Sequence, residues 1–235
     1  MEMFYGHLQA NSARAVHKRE RSGLAERLRY MRKLEQTDPS FVVDTSLEQY
    51  LNELPGLPNL IKYILDNGLP RKILEIGIGT GRALRELAQR YPEIEWIGTA
   101  LTHQPEFEQL EQLGNVKVLI TSAEDIRGIS AGTLGGAYSI RGLGFASPTE
   151  SAWRINRLLA PGAGLLSTSL GSESYGAEWD EYYSVWKYQS HHRLSAMLKW
   201  HGFKVGVQER PGQDNVIAAI KPNHTQMTPS KLLEG

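Results

Sequence analysis

Glu75, Gly77, Gly79 and Gly81 set one carboxylate ahead of three glycines at alternate positions, within Lys72-Ile73-Leu74-Glu75-Ile76-Gly77-Ile78-Gly79-Thr80-Gly81-Arg82. Alternate glycines strip Cβ atoms from a turn, so the backbone can take positive φ and approach a flat polar ligand closely. An amphipathic segment begins at Arg82, and a helix start adds free N–H groups and a positive dipole end. A carboxylate before such a turn offers charge-assisted hydrogen bonds to a cationic group; the competing reading is that Glu75 caps the turn or the helix. Arg141 follows a later apolar run, where it either holds a substrate carboxylate or phosphate or makes a structural ion pair. His103, His191 and His192 are the candidate bases, each also readable as a surface or packing residue. His191 and His192 are adjacent, no His-x-x-x-His pair occurs and there is no cysteine, so no metal-ligating set is expected.

These residues need a scaffold, and the hydrophobic pattern supplies one. Apolar runs at 73–76, 94–99, 116–120, 134–140 and 164–170 read as strands, the fourth broken by Gly135-Gly136. Between them, 82–91, 105–113 and 149–159 read as helices, the last closed by Pro161-Gly162, with a short helix or turn over 124–129. Repeated strand–helix units with short connectors predict a doubly wound α/β fold with a mostly parallel sheet. The segment 189–201 reads as a helix. Strands at 203–208 and 215–220 are joined too tightly for a crossover, so they form an antiparallel hairpin.

Outside that rhythm, 1–56 reads as an N-terminal helical extension with Leu24, Leu28, Met31 and Leu34 at helical spacing, followed by a connector from Thr37 to Gly56 rich in turn formers. Its excess of Arg and Lys either touches an anionic partner or simply solvates a helix face. Residues 57–221 form the main domain, opening with a helix over 57–67, and 222–235 a disordered tail. The stretch 171–188 carries Tyr175, Trp179, Tyr182, Tyr183, Trp186 and Tyr188, which either form a lid over an apolar acceptor or cover the sheet edge.

The formal net charge is zero, which gives no global attraction to nucleic acid or an anionic membrane. No apolar run approaches membrane-spanning length and Met1 to His7 does not open like a secretory leader, so a cytoplasmic location without a membrane partner is expected.

Two ligand classes fail on spacing. A phosphate-cradling loop needs Gly-Lys-Ser/Thr at its end, whereas Gly81 is followed by Arg82-Ala83. A dinucleotide loop wants its third glycine where Arg82 stands. The observed order resembles motif I of the class I S-adenosylmethionine-dependent methyltransferases. Leu159-Ala160-Pro161-Gly162-Ala163-Gly164 looks like that family's turn before its fifth strand, and His201-Gly202-Phe203 like the opening of its sixth. The terminal hairpin matches its antiparallel last strand.

The resemblance implies a Rossmann-like, seven-stranded methyltransferase fold with S-adenosyl-L-methionine as cofactor. The cofactor's methionine and ribose portions would lie on Gly77, Ile78, Gly79, Thr80 and Gly81, its ammonium near Glu75, and its remainder against Ala100, Leu101, Ser122, Ala123, Glu124 and Ser139. The sequence departs from the family at two places. Ala100 stands where an acid usually closes the second strand, and Ser122 where an aspartate often follows the third. Thr99, Thr102 or His103 are the candidate substitutes for the first, and Glu124 or Asp125 for the second. No Asn/Asp-Pro-Pro-Tyr/Phe follows the fourth strand, which argues against amino methylation of nucleic acid. The implied function is methylation of a small-molecule acceptor. The alternative is a catalytically inactive methyltransferase-fold binding or partner protein, with RNA or protein methylation behind it.

Overall fold

The computed structural model describes residues 25, 28–37, 42–169, 191–210, 213–223 and 227–234. The whole aromatic stretch 171–188, with its expected lid or sheet-edge role, and most of the basic segment before residue 28 lie outside them. Helix α1 covers 28–37. Helices α2 (Leu47–Glu53) and α3 (Leu57–Asp66) follow, then β1 (Lys72–Ile76), α4 (Arg82–Arg90), β2 (Glu95–Ala100), α5 (Glu106–Glu111), β3 (Val116–Ile120) and β4 (Leu134–Ser139). A 3₁₀ turn (Gly142–Phe145) leads to α6 (Pro148–Leu158) and β5 (Leu159–Ser169); α7 (His191–Trp200), β6 (Lys204–Gln208), β7 (Asn215–Ile220) and α8 (Pro229–Leu233) complete the order.

The seven strands form one sheet in the order β3-β2-β1-β4-β5-β7-β6. Pairs from β3 through β5 are parallel, and β7 runs antiparallel to both β5 and β6. The short connection at 209–214 joins β6 and β7 as a hairpin, with β7 between β5 and the edge strand β6. Alternation along each strand feeds two cores. Ile73, Trp96, Tyr138, Leu166 and Ala218 face α3 and α4, while Leu74, Ile97, Ala137, Leu165 and Ile217 face α6 and α7. The strand order reverses between β1 and β4, and at such a switch point the loops leaving adjacent strands diverge and open a crevice.

Several expectations need correction. The connector at 37–56 contains α2, whose start is a capping box: Gln49 N–H donates to Ser46 Oγ and Ser46 N–H to Gln49 Oε1. Gly135-Gly136 does not break β4. A side chain at Gly136 would come within 2.8 Å of Ile64 Cδ1, so the glycine lets α3 lie directly on the sheet. Helix α6 ends at Leu158, and Pro161-Gly162 falls within β5, which pairs at Leu159 with Leu134 before a bulge. The tail is not disordered throughout, because α8 buries Leu232 completely against the α3 side of the sheet.

Candidate active site

A cavity of about 340 Å³ opens at the carboxyl ends of β1, β2 and β3, beside the β1–β4 switch point. Its floor is Gly77, Ile78 and Gly79, one wall Thr99, Ala100 and Leu101, and another Thr121, Ser122, Ala123 and Glu124. Of the sequence-expected residues, Gly77, Ile78, Gly79, Ala100, Leu101, Ser122, Ala123 and Glu124 therefore share one cavity. Ser122 Oγ is buried there without a hydrogen-bond partner, a polar atom awaiting a ligand.

The glycine turn is built by packing as much as by ligand access. Gly79 takes φ 54°, and a Cβ there would strike the Val43 carbonyl. The backbone that approaches Gly79 closely is thus residues 42–46, which cross the loop as a strap. Thr80 N–H donates to Val43 O at 3.2 Å, Thr80 Oγ1 to Asp44 Oδ1 at 2.7 Å, and Arg82 pairs with Asp44. Thr80 faces this strap rather than the cavity, and Gly81 turns the chain into α4 at φ 81° beneath Leu110. Neither lines the cavity.

Glu75 differs most from expectation. It is fully buried and absent from the cavity wall, and it caps neither the turn nor the helix. Tyr50 donates to Oε1 and Tyr138 to Oε2, the latter at 2.7 Å. Burial pushes its carboxyl up to about 7, against the two phenolic hydrogen bonds. The rings are arranged edge to face, with Tyr50 and Tyr138 centroids 6.4 Å apart. Because Tyr50 itself lines the cavity, the carboxylate fixes the wall that α2 contributes. Ser139 is also buried and spent: its Oγ donates to Ile76 O and accepts from Leu143 N–H, both at 2.9 Å, stapling the ends of β1 and β4.

Arg141 lines the cavity and is the one non-glycine residue with positive φ among the described residues, at 61°. Its Nε donates to Asp214 at 2.8 Å and Nη2 lies 3.3 Å from Glu53 Oε2. Burial raises the Glu53 carboxyl despite that guanidinium. Arg210 donates to the carbonyls of Asn52, Glu53 and Asp214, tying the end of α2 to the β6–β7 connection. The structural ion-pair reading of Arg141 therefore describes its contacts. His103 is exposed and sits edge-on to Phe107, and His192 is exposed at the start of α7; neither lines the cavity. The side chain of His191 lies outside the described residues. Among those residues no group of His, Asp and Glu could hold a metal ion, and no helix is long and apolar enough to cross a membrane.

The N-terminal helical extension, expected to pack near the mouth of the ligand site, contributes residues to the cavity. Leu28, Met31 and Glu35 of α1, spaced three and four apart, line the cavity, as do Val42, Val43, Thr45, Tyr50 and Glu53. Arg29, Arg32 and Lys33 point the other way, into solvent. Leu28 and Met31 belong to the helical stripe read from the sequence, whereas Glu35, one position past Leu34, was not singled out.

No protein-family model matches the sequence. A tRNA (guanine-N(7)-)-methyltransferase from Thiobacillus denitrificans is 31% identical over 145 residues, 55% of this chain and 61% of that protein. The chain thus spans about three fifths of the length of the curated relative it matches. Among solved structures, Haemonchus contortus phosphoethanolamine N-methyltransferase 2, in complex with phosphomonomethylethanolamine and S-adenosylhomocysteine, superposes at a TM-score of 0.57 with 16% identity over 81% of this chain and 59% of its own. A SAM-dependent methyltransferase from Aquifex aeolicus gives 0.54 and 21% over 78% and 98%. Geranyl diphosphate C-methyltransferase from Streptomyces coelicolor A3(2), with Mg²⁺, geranyl diphosphate and S-adenosyl-L-homocysteine, gives 0.53 and 12% over 77% and 88%.

Proposed function

We propose, on the premise that this chain has the class I S-adenosylmethionine-dependent methyltransferase fold, that it methylates a small-molecule acceptor using S-adenosyl-L-methionine. The observation that carries the reading is the cavity at the β1–β4 switch point, floored by Gly77 to Gly79 and walled by Ala100 and Ser122. The cofactor supplies an electrophilic methyl group on a sulfonium. The residues present suit it: Gly77 to Gly79 present backbone to the cavity, Ser122 Oγ has no hydrogen-bond partner, and Ile76, Ile78 and Ala123 offer apolar surface. Methyl transfer is an in-line displacement, so the protein's task is to position the acceptor and keep water out. Tyr50, Glu53, Ile140 and Arg141 form the end of the cavity left for an acceptor, and α1, the 42–46 strap and α2 narrow its mouth. A cavity of about 340 Å³ suits a small acceptor.

Calorimetry with S-adenosylmethionine and S-adenosylhomocysteine tests the reading. Saturable binding with a thermal shift is expected; no heat and no shift at millimolar ligand would sink it and leave the inactive binding-protein alternative. The tRNA methyltransferase likeness favours RNA as a second reading, with the exposed Arg29, Arg32 and Lys33 as its contact. Phosphate contacts release counterions, so tRNA affinity would fall steeply with salt and fall again when these residues are replaced by alanine. Absence of salt-dependent binding excludes that reading.

A further inference from the structure

We infer, resting on the reading above, that Glu35 of α1 accepts the ribose hydroxyls of the adenosyl ligand, so that the N-terminal helix supplies the acid β2 lacks. Three carboxylates line the cavity, those of Glu35, Glu53 and Glu124. Glu53 lies against Arg141, and Glu124 Oε1 accepts the Ser147 N–H at 2.7 Å. Glu35 is the one held at the end of β2, beside Ala100 and Leu101.

Its placement is well determined. Gln104 Nε2 donates to Thr102 Oγ1 at 3.2 Å, and Thr102 Oγ1 donates on to Glu35 Oε2 at 2.6 Å. The backbone of Leu101 and Thr102 also favours the ionised carboxylate. Burial raises the Glu35 carboxyl, and these bonds, with the charge of Arg32, counter that rise. Thr102 is therefore not itself free to serve a ligand: its hydroxyl is the relay that aims Glu35. Ala100 ends β2 with a short side chain at the cavity wall, and a carboxylate arriving from α1 can occupy the space that a longer side chain there would fill. A carboxylate presents two acceptor oxygens, and a vicinal diol presents two donors at matching separation. The adenosyl ribose carries such a diol. In this arrangement the segment before residue 57 is part of the cofactor site.

The test compares S-adenosylhomocysteine with its 2′,3′-dideoxy analogue by calorimetry, on the full chain and on Glu35→Ala and Glu35→Gln, with thermal melts to verify folding. Wild type should prefer the diol ligand by about tenfold to a hundredfold, the worth of a charged hydrogen bond. Glu35→Ala should erase that preference. Glu35→Gln, which keeps one acceptor oxygen, should fall between. Thr102→Val, which loosens the relay, should lower the preference without touching the ligand. If wild type binds both ligands equally, or Glu35→Ala keeps the preference, the assignment to Glu35 falls and the methyltransferase reading stands. If wild type binds neither ligand, both fall.

Discussion

The Tyr138 hydroxyl donates to Oε2 of Glu75 at 2.7 Å, while Tyr50 serves Oε1 from the other side, so one fully buried carboxylate joins β4, β1 and α2. The two phenols partly compensate for desolvation, and the carboxyl still titrates at about 7 instead of its ordinary 4.5. Between those values the folded protein holds a proton that the unfolded chain has released. Stability is therefore fully present below about 4.5 and lost as pH rises through about 7. Glu75→Gln keeps a neutral hydrogen-bonding group in place. Relative to that variant, wild type should lose on the order of 3 kcal/mol between pH 4.5 and 7.5. Urea denaturation of both proteins across that range checks it, and a constant difference would show that Glu75 stays ionised throughout.

The glycine turn and the terminal hairpin were legible because both are local. Glu75 to Gly81 spans few residues, and a six-residue connection at 209–214 allows only antiparallel strands. The absence of an acid at Ala100 was equally plain. What joins distant parts of the chain was not. Thr102 meets Glu35 across 67 residues, and Tyr138 meets Glu75 across 63, and no spacing rule reports such pairs. The second demand on Gly79 was hidden for the same reason: besides lining the cavity, it lies under a strap 36 residues upstream. Helix α2 was hidden between the turn formers at 38–40 and 55–56, although Ser46 and Gln49 carried its capping signature.

Replacing Gly79 measures how much that strap matters. Alanine there is strained at φ 54° and also collides with the Val43 carbonyl, whereas Gly128 has φ 80° with open space around it. Gly128→Ala should cost about 1 kcal/mol, the backbone cost alone. Gly79→Ala should cost at least about twice that and should raise amide exchange over residues 42–46, because the chain relieves the collision by lifting the strap. Equal destabilisation of the two variants in urea titrations would mean that the strap gives way freely.

Leu232 anchors the last helix against the α3 face with no exposed surface. Leu232→Ala should therefore destabilise by about 2–5 kcal/mol, as for a large-to-small change in a packed core. Its exposed neighbour Lys231, changed to alanine, should move stability by less than about 0.5 kcal/mol. Guanidinium denaturation of the pair distinguishes a docked tail from a loose one, since a loose tail would make both changes equally mild.

Arg141 combines a strained backbone with a paired side chain, and the two can be separated. Its guanidinium is 42% exposed while the Asp214 side chain is 6% exposed, so truncation leaves a largely buried carboxylate short of a cation. Because the arginine end is open to water, the loss should be about 1–3 kcal/mol, below that of a fully buried pair. Alanine at this position keeps the φ of 61°, whereas glycine adopts it without strain. Arg141→Gly should then be the more stable of the two variants by about 1 kcal/mol, reversing the usual order of alanine over glycine. Chemical denaturation midpoints read the order directly. If alanine proves the more stable, the turn after β4 relaxes once its side chain is gone, and the positive φ is imposed by the ion pairs to Glu53 and Asp214.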